Sequence, residues 1–396
     1  MIAALLERFL EEGLGGAGVP AFIERTLRDF LGCGDPEKGC LHMRCPHCGH
    51  HELVAFSCKR RGVCGSCSGR IARDVSEHLA CTVLPQQAFR QWVVSWPFAV
   101  GQKVAFQPDL AADMEQLAAS MVSEWVTREK VTVKTGGVLI PHRFGANLNL
   151  QMHAHIVVLD GGYRRDDEGG LRFERTPGFG RAALEKLTRA MYQRLRELLL
   201  GRGIELPEDD DGPSEEVEQP KRGMAARRRG LHVYVSEPVR ERHELQGLIR
   251  YLLRCGIDER KLRALPDGRY AYRLDKPSAD GSLELVLSGM EMMDRIASLI
   301  PMSGKHTRRY FGVLAGGSKW RSEVVARVTP GKNGEWPNRS RTDWAALLKR
   351  VYGIDVLTCP VCWGRMVLVR ILPIGADAGY RARELPTPRL PSDDGA

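Results

Sequence analysis

The chain has 396 residues, room for two or three domains at ~150 residues each, and its 43% apolar and 27% charged composition excludes a disordered or fibrous chain. Lysine and arginine outnumber aspartate and glutamate by 58 to 49, a net charge of +9 that suits a polyanionic partner. No run approaches the ~18 apolar residues of a membrane span, and eleven cysteines in a chain expected to stay in a reducing cytoplasm point to metal rather than to disulfides.

The first element is an amphipathic helix, in which Leu5, Leu6, Phe9 and Leu10 are interspersed with Glu7, Arg8, Glu11 and Glu12, unlike a basic signal peptide. Seven cysteines, at positions 33, 40, 45, 48, 58, 64 and 67, then crowd into 35 residues. Cys45-Pro-His-Cys48 and Cys64-Gly-Ser-Cys67 are separated by fifteen residues, a spacing that predicts two tight knuckles closing four thiolates around one tetrahedral Zn2+. Cys33 and Cys58 are candidates for further ligands, which spacing alone does not assign. A closed four-thiolate site folds a small domain rather than catalysing a reaction. Lys59, Arg60, Arg61, Arg70 and Arg73 would then project from a rigid knuckle towards a nucleic-acid backbone.

Residues 89–97, Phe-Arg-Gln-Trp-Val-Val-Ser-Trp-Pro, read as a strand and put the first domain boundary at residue 88. Leu110, Met114, Leu117, Met121 and Val122 recur at helical spacing over residues 109–130, and Leu184, Leu187, Met191 and Leu195 do so over residues 181–200. Between these helices, residues 149–161 form a strand by their branched apolar content. Its period of two places His153 and His155 on one face, where two imidazoles converge on a metal. The preceding strand, residues 137–142, folds back through a turn and offers His142 as a third ligand.

Residues 203–230 pass from an acidic run to a basic one with few apolar positions, which predicts an exposed insertion. In residues 244–255, Leu245, Leu248, Ile249 and Leu252 make an apolar helical stripe, and Tyr251 falls largely off it between Arg250 and Arg254. A tyrosine between guanidinium groups suits attack on a phosphodiester, yet helical spacing serves a packing tyrosine equally well. Residues 331–396 form a basic C-terminal segment with Cys359-Pro-Val-Cys362, half of a metal site by spacing, and a Pro-rich tail.

Several motifs in this order resemble the HUH transposases of rolling-circle insertion sequences. They are Phe56-Ser-Cys58-Lys-Arg-Arg-Gly-Val-Cys64-Gly-Ser-Cys67, Arg90-Gln-Trp-Val-Val-Ser-Trp-Pro-Phe98, Arg143-Phe-Gly-Ala-Asn-Leu-Asn149 leading to His153-Ala-His155, Leu248-Ile-Arg-Tyr251, Lys305-His306-Thr-Arg-Arg-Tyr310 and the late Cys-Pro-x-Cys with Gly364-Arg-Met366. The resemblance implies an α+β fold. A small zinc-ribbon-like domain over 1–88 precedes an HUH endonuclease domain over 89–330, whose central antiparallel sheet is ferredoxin- or RRM-like with flanking helices. It implies Mg2+ or Mn2+ on His153 and His155, Tyr251 as the nucleophile that forms a 5′-phosphotyrosine, and single-stranded DNA at transposon termini as substrate. Arg250, Arg254, Lys59, Arg60 and Arg61 are the expected phosphate contacts. Relatives with two tyrosines place them four residues apart, where this chain has Gly247, so it resembles a single-tyrosine subgroup. Two other readings stand beside this one: a zinc-ribbon DNA-binding protein without catalysis, and a metal-dependent nuclease in which water attacks.

Overall fold

The computed structural model describes residues 2–12, 20–60, 62–104, 107–128, 130–145, 148–206, 223–275, 277–278, 281–301, 306–325, 349 and 355–373. Helices α1 (Ile2–Glu12) and α2 (Ala21–Leu31) lead to strands β1 (Cys40–Arg44) and β2 (His51–Ala55) and to helix α3 (Gly65–His78). Strand β3 (Phe89–Ser95), helices α4 (Phe98–Val104) and α5 (Pro108–Thr127), and strands β4 (Gly136–Phe144), β5 (Leu150–Leu159), β6 (Gly161–Arg165) and β7 (Leu171–Arg175) follow. Helix α6 (Arg181–Leu200) precedes β8 (Gly223–Arg228), β9 (Leu231–Ser236) and α7 (Arg242–Leu252). The last elements are β10 (Leu262–Ala264), β11 (Tyr270–Arg273), β12 (Glu284–Leu287), α8 (Gly289–Leu299), β13 (Arg309–Gly312), α9 (Arg321–Val324) and β14 (Val367–Leu372). Among the described residues, no helix is long and apolar enough to cross a membrane.

The chain divides into two compact units. One comprises Met1–Val75, Leu253–Glu259 and Val328–Ala396; the other comprises Ser76–Leu252 and Arg260–Arg327. Residues 355–373, part of the C-terminal segment expected to stand apart, therefore belong to the zinc unit. Strand β14 pairs with β1, which pairs with β2, all antiparallel. The reason is packing: Met43, Val54, Val356 and Met366 share one small core with Cys45 and Cys359, and Cys40, Leu53 and Leu372 share another. Cores this small need further support to hold a fold.

The second unit is built on an antiparallel sheet in the order β13-β4-β5-β3-β9-β8. Alternation along β3 and β5 gives the sheet two unlike faces. Trp92, Val94, Ala154, Ile156 and Val158 join Met114, Ala118 and Val122 of α5 and Leu184, Met191 and Leu195 of α6 in the main core. Val93 pairs with His155 and Ser95 with His153 on the opposite face. The insertion expected over 203–230 is shorter than its composition implied. Residues 223–228 pair with β9 because Met224 and Ala226 alternate inward, while the acidic stretch lies outside the described residues.

Gly312 ends β13 at φ +60°, and a Cβ there would collide with the carbonyl oxygen of Thr135, so this turn admits only glycine. At the centre of the main core, Trp92 meets Trp125 edge-on at 5.2 Å and lies stacked with Phe179 at 6.0 Å. Trp92→Ala is expected to lower stability by about 3–5 kcal/mol. Urea denaturation followed by far-UV circular dichroism checks this, and an unchanged midpoint would contradict the packing described.

Candidate functional site

The two cysteine knuckles do not meet in one site. The structure gathers Cys33, Cys58, Cys64 and Cys67 in one cluster, and Cys45, Cys48, Cys359 and Cys362 in another, with all sulfurs of each cluster within 4.8 Å of one another. The expected quartet of Cys45, Cys48, Cys64 and Cys67 is thus split, and each pair finds partners elsewhere. Sulfur separations of 3.7 Å (Cys33–Cys64), 3.8 Å (Cys33–Cys67) and 3.6 Å (Cys58–Cys67) match the edge of about 3.8 Å that a tetrahedron with Zn–S bonds of ~2.3 Å requires. Cys45–Cys362 at 3.5 Å and Cys48–Cys359 at 3.6 Å match it too.

Local backbone explains both knuckles. Cys45 accepts from Gly49 at 2.9 Å and donates to the His50 carbonyl at 2.8 Å, while Cys359 donates to Gly364 at 2.7 Å and accepts from Trp363 at 2.9 Å. Cys64 and Cys67 open α3, where the helix N-terminus favours thiolates, and the Cys67 N–H donates to the Cys64 sulfur at 3.4 Å. Hydrogen bonds from Cys33, Cys58 and Cys64 push the Cys67 thiol far down. The backbone N–H of Cys48 draws Cys45 down to about 6. Hydrogen bonds from Cys58 and Cys64 lower Cys33 as well, so each cluster holds thiols inclined to ionise, and a cation is what allows the rest to follow.

Three histidines converge in the other unit. The register of β4 and β5 sets His142 opposite His153 and Ile140 opposite His155, so all three imidazoles share one face. Ring centroids lie 5.1 Å (His142–His153), 4.5 Å (His142–His155) and 5.0 Å (His153–His155) apart, and one nitrogen from each lies within 4.8 Å of the others. Outer contacts set the tautomers. His142 Nε2–H donates to the Leu252 carbonyl at 2.7 Å and His153 Nδ1–H to the Gln151 carbonyl at 3.1 Å, which puts their lone pairs on Nδ1 and Nε2. The Gln91 amide lies 2.8 Å from His155 Nδ1, and its buried Oε1 has no hydrogen-bond partner. With the amide turned half over, Oε1 accepts from Nδ1–H and His155 presents Nε2 inward as well. Burial, with His142 alongside, depresses the His153 pKa to about 3, so this imidazole is neutral and ready to ligate. Three imidazoles with one nitrogen each turned to a common point fit a divalent metal.

Tyr251 is half-buried on the last turn of α7, one residue before the Leu252 carbonyl that accepts from His142. Arg250, Arg254 and Lys59 are exposed. Two other expected backbone readers are engaged within the protein: Arg60 pairs with Asp29, its Nε at 2.8 Å, and Arg70 is buried and donates to Ser57 at 2.9 Å. Arg61 and Lys305 lie outside the described residues. Gln91 was missed in the sequence, although a polar residue inside the apolar 89–97 strand was a signal.

Two cysteine clusters in one unit and three converging imidazoles in the other define a protein with a zinc-binding module and a second candidate metal site. Residues 2–96 match the transposase zinc-binding domain of the IS91 family, and residues 136–322 match the family described as "Putative transposase". No curated protein matches the chain, and no solved structure does. The two domains indicate a DNA transposase with structural zinc.

Elemental analysis is expected to find two zinc ions per chain, one for each cysteine cluster. Joint Cys359→Ser and Cys362→Ser substitution should leave one, whereas the single-site arrangement would leave the content unchanged. Gln91→Leu keeps every ligand but is expected to weaken Mn2+ binding at the histidines by about 10–100-fold by calorimetry. Equal affinity would remove Gln91 from the account.

Proposed function

We propose that this transposase nicks and rejoins single-stranded DNA at insertion-sequence ends by transesterification at Tyr251, in rolling-circle transposition. The observation that carries the reading is the 2.7 Å bond from His142 to the Leu252 carbonyl, which ties the tyrosine helix to the histidine cluster. The order β4-β5-β3-β9, reached through β3-α5-β4-β5-α6-β9, supports a ferredoxin-like HUH core.

His142, His153 and His155 would hold a divalent ion, which when bound polarises a phosphoryl oxygen. The all-nitrogen donor set favours Mn2+ over the harder Mg2+. The Tyr251 oxygen attacks phosphorus as the bond from phosphorus to the 3′-oxygen breaks. The phenol gives up its proton, the 3′-oxygen leaves as an alkoxide and takes up a proton to become a hydroxyl, and the 5′ side stays joined to the tyrosine. A 3′-hydroxyl later reverses the step, so bond energy is conserved and no nucleotide cofactor is needed. Exposed Arg250 and Arg254 offset charge on the bound strand. At Gly247, one turn before Tyr251, a Cβ would meet nothing within 4 Å, so the second tyrosine is missing from the sequence and not excluded by lack of space.

The test incubates the protein and its Tyr251→Phe variant with Mn2+ and end-labelled single-stranded oligonucleotides tiling the DNA that flanks the gene. A labelled band at the protein's mass on a denaturing gel, absent from the variant, is expected. Cleavage without an adduct would favour attack by water, and binding without cleavage would favour a zinc-ribbon DNA-binding protein.

A further inference from the structure

Arg308 lies immediately before β13 and has no part in the contacts described so far. Strand β13 pairs with β4, placing Arg309 opposite Leu139 and Tyr310 opposite Val138. Arg309 reaches Glu115 of α5 at 3.0 Å, and Leu139 belongs to the core against α5 and α6, so Arg309 points to the helix-covered face. Successive side chains of an extended strand alternate, which turns Tyr310 and Arg308 to the other face, the one that bears His142, His153 and His155. The paired register ends at Arg309; continued by one residue it would set Arg308 level with Ile140, whose partner on β5 is His155. Two strand spacings of ~4.8 Å then separate the Arg308 and His155 backbones, a gap that an arginine side chain and a phosphate group together can span.

Arg308 is half-buried, and its Nη1 is shielded from solvent with no hydrogen-bond partner among the described residues. Guanidinium does not lose its charge in proteins, and its planar donors match phosphate oxygens, so a buried donor left unmatched is set for an anion. Arg250 and Arg254, by contrast, are exposed and can meet a strand only through screened attraction. We infer that Arg308 binds a nonbridging oxygen of the scissile phosphodiester on the histidine face. The inference rests on the transesterification reading and adds to it the group that neutralises charge as the phosphorus is attacked.

Its test does not depend on turnover. In the Tyr251→Phe background, binding of a single-stranded oligonucleotide is compared with binding of a series in which one phosphate at a time is replaced by an uncharged methylphosphonate. With Arg308 present, one position in the series should weaken binding by about tenfold. With Arg308→Ala, that position should have no effect. If the methylphosphonate profile is the same with and without Arg308, the inference is overturned. In the Tyr251 protein, Arg308→Ala should slow single-turnover cleavage by about 10²–10³-fold, with partial rescue by added guanidinium; an unchanged rate contradicts the role. Zinc content and Mn2+ affinity should match the parent. Should they fall, Arg308→Lys, which keeps the charge but loses the planar fork, replaces it in the same comparison. Absence of an adduct in the parent defeats the transesterification reading, while the methylphosphonate profile still decides whether Arg308 contacts phosphate.

Discussion

A single hydrogen bond, from His142 Nε2–H to the carbonyl of Leu252, constrains the geometry on which the proposed chemistry depends. The carbonyl belongs to the C-terminal turn of α7, where helix carbonyls lack internal partners and seek donors. By supplying one, His142 fixes its own tautomer and holds the turn that carries Tyr251. The same ring then faces His153 and His155, themselves set by strand register. In the proposed reaction, the position of Tyr251 and the orientation of the histidines would thus be coupled through one residue. Side chains so held lose little freedom when a phosphodiester enters, which is where a positioned nucleophile gains most over one in solution.

The zinc unit solves a different problem. Its apolar clusters are small, and its sequence is interrupted, since Cys48 and Cys359 are 311 residues apart. Closing a loop that long costs only about 3 kcal/mol more than closing one of fifteen residues. A structural zinc site contributes about 10–16 kcal/mol in small peptides at neutral pH. Metal therefore outweighs separation, and a late Cys-x-x-Cys can complete a knuckle near the other end of the chain. The exposed row of Val367, Leu368, Val369 and Ile371 on β14 shows how little apolar burial this strand supplies by itself.

Where a local period carries the signal, the sequence was legible. The run from Phe89 to Ser95, the two long amphipathic helices and the shared face of His153 and His155 follow from spacings of two or 3.6 residues. His142 was legible as a candidate because the hairpin that brings it across is short. Partnership of the cysteines was not, because C-x2-C pairs look alike and spacing cannot rank a partner fifteen residues away against one some three hundred away. Strand β8 hid in a charged stretch, since as the edge strand beside β9 it needs only Met224 and Ala226 inward. Arg60 and Arg70 read as free basic groups until Asp29 and Ser57 were seen to meet them.

The central claim is that Tyr251 itself carries the DNA. Arg250 and Arg254 flank it so that trypsin releases residues 251–254 as a four-residue peptide. After reaction with a single-stranded oligonucleotide, nuclease trimming and digestion, mass spectrometry should find this peptide, alone or with a missed cleavage, enlarged by a nucleotide joined through its 5′-phosphate. A nucleotide on any other peptide, or DNA released with a free 5′-phosphate and no peptide attached, would contradict the account.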